Sequence, residues 1–409
     1  MNHIIIIGGG PAGMIAAISA AQHGAKVTLI EKGQLGRKLL MTGHGRCNVT
    51  NDTDNQGIMN AISGNKRFLH SALMTWNVED MKDFLINHGC PLKEEDNHRL
   101  FPVSDQAADV LTLLEKNLKG ANVDLHLNHT VSQLCINDQK CTGVVLNDGN
   151  LIEGDAVIIA TGGMSYPVTG STGDGYEFVK DYHRIIPPAP ALVALSCTLQ
   201  NGESVAALQG LTLTHVKVML KDKKVRHQAR GDVMITHFGL SGPVIINMST
   251  FIQKNQSIII DLLPDLDAQT LDAMLVKKLQ NSSHKAVYHV LSTFIPERLS
   301  HVLLKLCDID SQTKAYAITR EQRLLIVSTM KQFTFIDLKR RSFKEAMITK
   351  GGIDLKEINP KTMASKKIDN LYFAGEVMDL DATTGGFNLQ IAWTTGYVAG
   401  QSAALQNRS

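Results

Sequence analysis

The apolar residues of this chain fall into short saturated runs cut by glycine, and the first 31 residues show the pattern most clearly. His3-Ile4-Ile5-Ile6-Ile7 is apolar at every inward position, as a strand buried on both faces requires. Gly8-Gly9-Gly10-Pro11-Ala12-Gly13 follows. Met14 to His23 is small and apolar and predicts a helix ending at Gly24, and Ala25 to Ile30 predicts a second strand ending in Glu31.

Further along, helical patterning over 65–87 and from Gln106 to Leu118 alternates with short strands at Val123 to His126, Thr130 to Ile136 and Thr142 to Leu146. Asn147-Asp148-Gly149 predicts a hairpin turn, and Arg99-Leu100-Phe101-Pro102 predicts a compact turn. Ala156 to Ile159 is another saturated strand and runs into Ala160-Thr161-Gly162-Gly163. The pattern changes after Ile185-Ile186-Pro187-Pro188-Ala189-Pro190, because three prolines in four residues are excluded from a helix or central strand. Antiparallel strands are then predicted at Leu192 to Leu199, Leu213 to Leu220, Asp232 to Thr236 and Ser257 to Leu263, and mainly helix from Ala268 to Val327. Near the C-terminus the opening pattern returns. Leu371-Tyr372-Phe373-Ala374 is a strand meeting Gly375-Glu376, and a helix follows Gly385-Gly386 as far as Leu405. The predicted fold is α/β. A Rossmann-like domain, which the resemblance given below implies is FAD-binding, is built from two segments, 1–190 and 336–409, with an insertion at 191–335 that is β-rich over 191–265 and mainly helical over 266–335.

The opening stretch is strand, G-x-G-x-x-G, helix, strand and acid in register, the arrangement that binds a dinucleotide. Gly8 permits the tight turn, Gly10 lets a pyrophosphate approach the backbone, and Gly13 allows close helix–strand packing. The helix N-terminus offers free N–H groups and about +0.5 of a charge. Glu31, 18 residues after Gly13, is placed to accept from ribose hydroxyls. The turn alone does not separate FAD from NAD; its position at the very start favours FAD, with the rest of the chain closing around it. Gly36 to Asn51 is polar, glycine-rich and basic, a loop suited to a polar ligand, in which Arg37, Lys38 and Arg46 are able to neutralise a pyrophosphate or an anionic substrate. Val131 is either a backbone partner for an adenine edge or an ordinary strand residue. Gly385-Gly386 either turns the chain or aims a helix N-terminus at the negative charge of a reduced flavin, worth about 1 kcal/mol where water is excluded.

The totals remove some alternatives. Lys and Arg number 41 against 39 Asp and Glu, a net charge of +2 that gives no argument for nucleic acid or an anionic membrane. The only compact basic run, Lys339-Arg340-Arg341, is expected on a solvated face. No apolar run approaches the roughly 20 residues of a membrane span, and the N-terminus is a strand without the features of a signal peptide, so a cytoplasmic protein is expected. The six cysteines, at 47, 90, 135, 141, 197 and 307, form no C-x-x-C and no metal spacing; Cys47 has no partner within five residues and is not expected to form a redox disulfide. His215, His227 and His237 lack metal spacing. No metal is expected, and no catalytic residue is assigned.

Seven separated motifs resemble those of the BaiN-like flavoproteins, a bacterial group of FAD-dependent oxidoreductases: GGGPAG at 8–13, GRKLLMTGHGRCNVTN at 36–51, ATGG at 160–163, SYPVTGSTGDGY at 165–176, THFGLSGP at 236–243, ITKGGI at 348–353 and LYFAGEVMDLDATTGGFNLQIAW at 371–393. His44 stands where that family usually has glycine, which would narrow the pocket beside the flavin. The resemblance implies FAD contacts at Gly8, Gly10, Pro11, Ala12, Gly13, Glu31, Lys32, Gly45, Arg46, Cys47, Asn48, Val131, Ala160, Thr161 and Gly162. It adds Gly375, Glu376, Asp379, Gly386, Phe387, Asn388 and Leu389. It implies hydride transfer between a small organic substrate and flavin N5 in a cleft between domain and insertion, with oxygen (amine oxidase) or NAD(P)H (reductase) as the other partner. NAD(P)H would be a transient co-substrate, since the insertion shows no second dinucleotide turn. A flavin-binding protein associated with RNA modification is the alternative from another class.

Overall fold

In the computed structural model the described residues are 1–406, less the side chains of His44 and Arg226, so the expectation for His44 lies outside the described residues. Contacts divide the chain into two units, Met1–Ala191 with Ser342–Ser409, and Leu192–Arg341.

The first unit opens with β1 (His3–Ile7), α1 (Pro11–Gln22), β2 (Lys26–Glu31), α2 (Arg37–Met41), β3 (Thr50–Asn51), α3 (Asn55–Ala61), α4 (His70–Leu73) and α5 (Val78–Asn87). It continues through β4 (Leu92–Glu95), β5 (Arg99–Pro102), α6 (Ala107–Gly120), β6 (Asp124–Leu127), β7 (Val131–Asn137), β8 (Lys140–Leu146), β9 (Leu151–Glu153), β10 (Ala156–Ile159), α7 (Asp174–Val179) and β11 (Ile185–Ala191). The second unit holds β12 (Leu195–Leu199), β13 (Thr212–Lys221), β14 (Val225–Ile235), β15 (Gly239–Ser241), α8 (Pro243–Ser249), β16 (Ser257–Asp261), α9 (Ala268–Asn281), α10 (Val287–Leu291), α11 (Glu297–Leu306), α12 (Arg320–Lys331) and β17 (Phe333–Arg340). The chain then re-enters the first unit with β18 (Ile348–Ile353), β19 (Leu371–Phe373) and α13 (Phe387–Leu405).

The five-stranded parallel sheet runs β19-β10-β1-β2-β6. Its inner strands carry Ile, Val and Leu at successive positions because both faces are covered, and Ile4, Ile5, Ile6 and Ile158 have no exposed surface. The chain leaves β1 on one side towards β2, while β10 lies on the other. β1 therefore marks the reversal of strand order, where open α/β sheets bind ligands at the carboxyl ends of their strands. Helices α1 and α13 cross at small residues: a Cβ on Gly396 would come 2.3 Å from the Ala12 carbonyl oxygen, and one on Gly400 2.2 Å from that of Ala16.

In the second unit β12-β15-β14-β13-β16-β17 close into a six-stranded barrel, filled by residues such as Leu195, Val218, Val233, Ile258, Phe333 and Phe335, with α9 to α12 sharing the same core. Closure removes the edges that separate antiparallel strands would expose.

Three local expectations are corrected. Arg99–Pro102 is a strand, not a turn: it is the middle of a β3-β5-β4 sheet, and its partners lie outside the local pattern. Arg37–Met41, read as loop, is a short helix that buries Leu39. Ile185–Ala191 is a strand despite its prolines, paired only with β18 and interrupted in register between Ile186 and Ala189, as missing N–H donors require. The basic run is also only partly solvated, because Arg340 donates to the carbonyls of Ser249 and Ile252, both at 2.7 Å, at the end of α8.

Candidate functional site

The glycine turn after β1 is the centre of the site. Gly8 has φ +107°, and a Cβ there would meet the Ala160 carbonyl oxygen at 2.5 Å; one on Gly13 would meet the Gly8 oxygen at 1.9 Å. These two glycines are therefore required by packing. Gly10 differs: a Cβ there would meet nothing within 4 Å. It is the N-cap of α1, with Pro11 at the first helical position, where no N–H is lost. Open space in front of a twelve-residue helix suits an anion held by backbone N–H groups.

Glu31 closes one side of the turn. Its carboxylate accepts from the Gly9 N–H at 2.7 Å and the Gly33 N–H at 2.8 Å, so the acid predicted for ribose also fixes the glycine corner. A carboxylate has about four lone-pair sites, so acceptor capacity remains. The His129 N–H donates to the Glu31 carbonyl at 3.1 Å and brings buried Val131, two residues on, towards the same end of the sheet. Lys32 follows, with its ammonium on Asp174 at 2.5 Å and the Thr172 hydroxyl at 2.6 Å.

The second corner, Ala160-Thr161-Gly162-Gly163, touches the first: the Ala160 N–H donates to the Ile7 carbonyl at 2.9 Å. Two buried hydroxyls here, Thr161 Oγ1 and Tyr176 OH, have no hydrogen-bond partner. Burial drives the Tyr176 pKa upward, with Glu376 and Asp379 adding to it, so the phenol stays a neutral donor. Orphaned buried polar groups are rare, and the Thr161 hydroxyl just beyond the carboxyl end of β10, with the Tyr176 phenol on α7, marks a place for ligand oxygen or nitrogen.

The third corner follows β19. A Cβ on Gly375 would lie 2.8 Å from Ala12 Cβ, and the Gly375 N–H donates to Thr395 Oγ1 at 3.0 Å. Glu376 is the hub of a polar knot. Its carboxylate accepts from Lys38 Nζ at 2.7 Å, from Ser165 Oγ at 2.8 Å and from the Thr349 N–H at 2.8 Å. Burial alone would raise its pKa, but the Lys38 charge and these donors hold it below the ordinary carboxylate value. Asp379 goes the other way: burial, then the nearby Asp381 charge, raise it.

The start of α13 meets the Gly45–Asn51 segment. A Cβ on Gly386 would sit 2.4 Å from the Thr50 carbonyl group. Asn48, oriented so that its amide donates to the Thr50 and Leu100 carbonyls, accepts the Gly386 N–H at 3.0 Å. Asn388 locks the preceding loop, accepting the Ala382 N–H and donating to the Ala382 carbonyl, both at 2.9 Å. The first-turn N–H groups of Phe387, Asn388 and Leu389 have no acceptor within their own helix.

The Arg46 guanidinium pairs with Glu95 and Asp105 and lies over the Phe101 ring, 4.3 Å from its centroid. Cys47 is buried, with φ +59°, and burial pushes its thiol up to about 12, so it is not a thiolate. All six cysteines are free, and no group of metal-binding side chains occurs among the described residues.

Ser165, Thr349, Asp174 and Tyr176 lie in quoted motifs but carry no predicted role as site residues. The partners of Ser165, Thr349 and Asp174 lie far along the chain, as with Thr349 and Ser165 at 184 residues, so no local spacing marks their roles.

The HI0933-like protein Rossmann domain family matches residues 2–402. The 3-dehydro-bile acid delta(4,6)-reductase of Clostridium scindens is 31% identical over 415 residues, covering 99% of each chain. The ribosomal RNA dihydrouridine synthase of Escherichia coli is 31% identical over 400 residues, covering 97% of this chain and 96% of that one. Among solved structures, the 3-ketosteroid delta1-dehydrogenase of Sterolibacterium denitrificans shares the fold, with a TM-score of 0.53, 12% identity and full coverage of both chains. No helix among the described residues is long and apolar enough to cross a membrane. With a parallel sheet, a glycine turn at its point of strand reversal and a match over almost its whole length, the chain belongs to the HI0933-like Rossmann family, the BaiN-like FAD-dependent oxidoreductases.

Proposed function

We propose that this protein is an FAD-dependent reductase of a carbon–carbon double bond conjugated to a carbonyl, with NAD(P)H as electron source. The observation that carries the cofactor site is the meeting of the Gly8–Gly13, Ala160–Gly163 and Gly375–Glu376 corners at one end of the parallel sheet, with Thr161 Oγ1 and Tyr176 OH left unpaired beside them. The reaction class rests on the two full-length relatives, whose names both describe saturation of such a bond: the delta(4,6) system of a 3-oxo bile acid, and the uracil ring of uridine. Those names favour the reductase over the amine oxidase.

The residues divide the work of holding the cofactor. The α1 N-terminus at Gly10, Pro11, Ala12 and Gly13 takes the pyrophosphate, and Glu31 takes ribose hydroxyls while it pins Gly9. Val131 offers its backbone to the adenine. Ala160, Thr161 and Gly162 line the route inward, and Gly45, Cys47 and Asn48 contribute backbone and amide groups. Gly386 caps α13, and the first-turn N–H groups of Phe387, Asn388 and Leu389 oppose negative charge on the ring system. Lys38 holds Glu376 as a carboxylate and so fixes the turn at Gly375. When bound, FAD supplies two-electron hydride chemistry. In the net reaction, NAD(P)H and one proton are consumed, and the alkene gains two hydrogens.

The test is anaerobic mixing of the purified yellow protein with NADH or NADPH, followed by a 3-oxo-delta-4 steroid or ribosomal RNA from a strain lacking the gene. Bleaching of the flavin band, reversed by one of these acceptors with a two-hydrogen mass gain in product, is expected. No bleaching by either nicotinamide, together with oxygen uptake on adding amines, would sink the reading.

A further inference from the structure

We propose that a hollow on the first unit, beside α3, binds the phosphate of a nucleotide. It is an open concavity of about 540 Å³, lined by Gln56, Met59, Lys66, Arg67, Phe68 and His70, among others. A 3₁₀ turn over Lys66–Leu69 shapes it: Phe68 and Leu69 point inward at 5% and 0% exposure, which leaves Lys66, Arg67 and His70 exposed on the other side.

Several cations elsewhere in this unit are paired with carboxylates, as Lys32 is with Asp174, Lys38 with Glu376 and Lys82 with Asp52. These three are not. Among the described residues Lys66 Nζ reaches only Asn60 Oδ1, at 3.5 Å, and that oxygen already accepts from Gln56 Nε2 at 2.9 Å. The Arg67 and His70 side chains have no partner among the described residues, and no described lining residue is acidic. Cationic side chains around a concavity with apolar walls focus positive potential into it. A guanidinium fork and an ammonium group match phosphate oxygens. The hollow is larger than one phosphate needs and lies within the roughly 300–1,000 Å³ of small-molecule sites. Gln56 can donate and accept, and Met59 offers an apolar face, so a sugar or base has contacts as well.

The hollow is joined to the cofactor side of the unit. The Ser63 N–H donates to the Asp381 carbonyl at 2.9 Å, and the Thr383 N–H to the Ala61 carbonyl at 3.0 Å, so the chain between Met59 and Lys66 is bonded to the segment that leads into α13. The phosphate has two possible sources, a dinucleotide reductant or an RNA strand. The proposal does not rest on the reductase reading, because binding needs no turnover.

The experiment measures equilibrium binding of NADPH, NADH and a short single-stranded oligoribonucleotide to the oxidised full-length protein at low salt. Wild type is compared with the Lys66→Gln/Arg67→Gln double variant and with Arg67→Glu. Retained flavin colour and an unchanged thermal midpoint establish that the variants fold. At least about tenfold weaker binding of one probe is expected, the size of losing a hydrogen-bonded charge contact. Weakening confined to NADPH, or to both nicotinamides, assigns the hollow to the reductant. Weakening confined to the oligoribonucleotide, with a shallower salt dependence, assigns it to RNA. Affinities within about twofold of wild type for every probe, or no measurable wild-type binding of any, overturn the proposal.

Discussion

The Lys38 ammonium stands 2.7 Å from the Glu376 carboxylate and ties α2 to the turn after β19 across 338 residues of sequence. Both side chains are about one-fifth exposed, so the pair is only partly screened by water. Glu376 is held below its ordinary value of 4.5, so its contribution to stability is full above that pH and is lost as pH falls through the lower folded value. Lys38→Met leaves burial uncompensated and reverses the shift. Urea melts between about pH 3 and 7 should show a loss of about 1.5–3 kcal/mol at neutral pH and a smaller loss in acid. Adding Glu376→Gln should recover part of the neutral-pH loss by removing the unpaired charge.

Gly10 and Gly13, three residues apart, should respond in opposite ways to alanine. The Gly13 Cβ would lie 1.9 Å from the Gly8 carbonyl oxygen, so Gly13→Ala must separate strand from helix and cost about 1–3 kcal/mol or more. The Gly10 Cβ meets nothing within 4 Å, and φ there is −79°, so Gly10→Ala should change apoprotein stability by about 0.5 kcal/mol or less. It should nevertheless lower the flavin retained after purification, because the new methyl stands where a phosphate would approach. Full flavin occupancy in Gly10→Ala would contradict the placement.

His183 is buried at 3% exposure, with Nε2 on Ser365 Oγ at 2.8 Å and its ring edge-on to Phe373. Burial lowers its pKa from 6.5 to about 4. The unfolded chain therefore binds a proton that the folded one refuses, and stability falls as pH drops from 6.5 towards 4. The linked loss is about 3 kcal/mol by the lower end. His183→Asn should remove that slope, seen as a flatter difference curve in denaturant melts over this window.

Cys47 and Cys197 are pushed by burial to about 12, and Cys141 to about 11. At pH 8 a thiol near 12 is a thiolate about one time in ten thousand, which leaves it inert to disulfide exchange. Titration with a thiol reagent should modify half-buried Cys135 first and the other five cysteines only after denaturant is added. Fast labelling of Cys47 in the native protein would reopen a redox role for it.

The parts of this fold legible in the sequence are those whose cause is local. Apolar saturation of His3–Ile7 and Ala156–Ile159 follows from burial on both faces, the glycines of 8–13 and the small residues of α13 from close approach, and the acid at Glu31 from its fixed distance after the turn. What the tertiary structure alone decided is pairing. Arg99–Pro102 became a strand because Thr50–Asn51 and Leu92–Glu95 flank it, and the Arg46 guanidinium pairs with Glu95 and Asp105, carboxylates 49 and 59 residues away. The total charge of +2 likewise gave no sign of the cations around Lys66 and Arg67, since a sum does not record which charges are neutralised by neighbours. Periodicity reports the face a residue presents. Its partner depends on chain brought together from hundreds of positions away, and only the folded coordinates carry that.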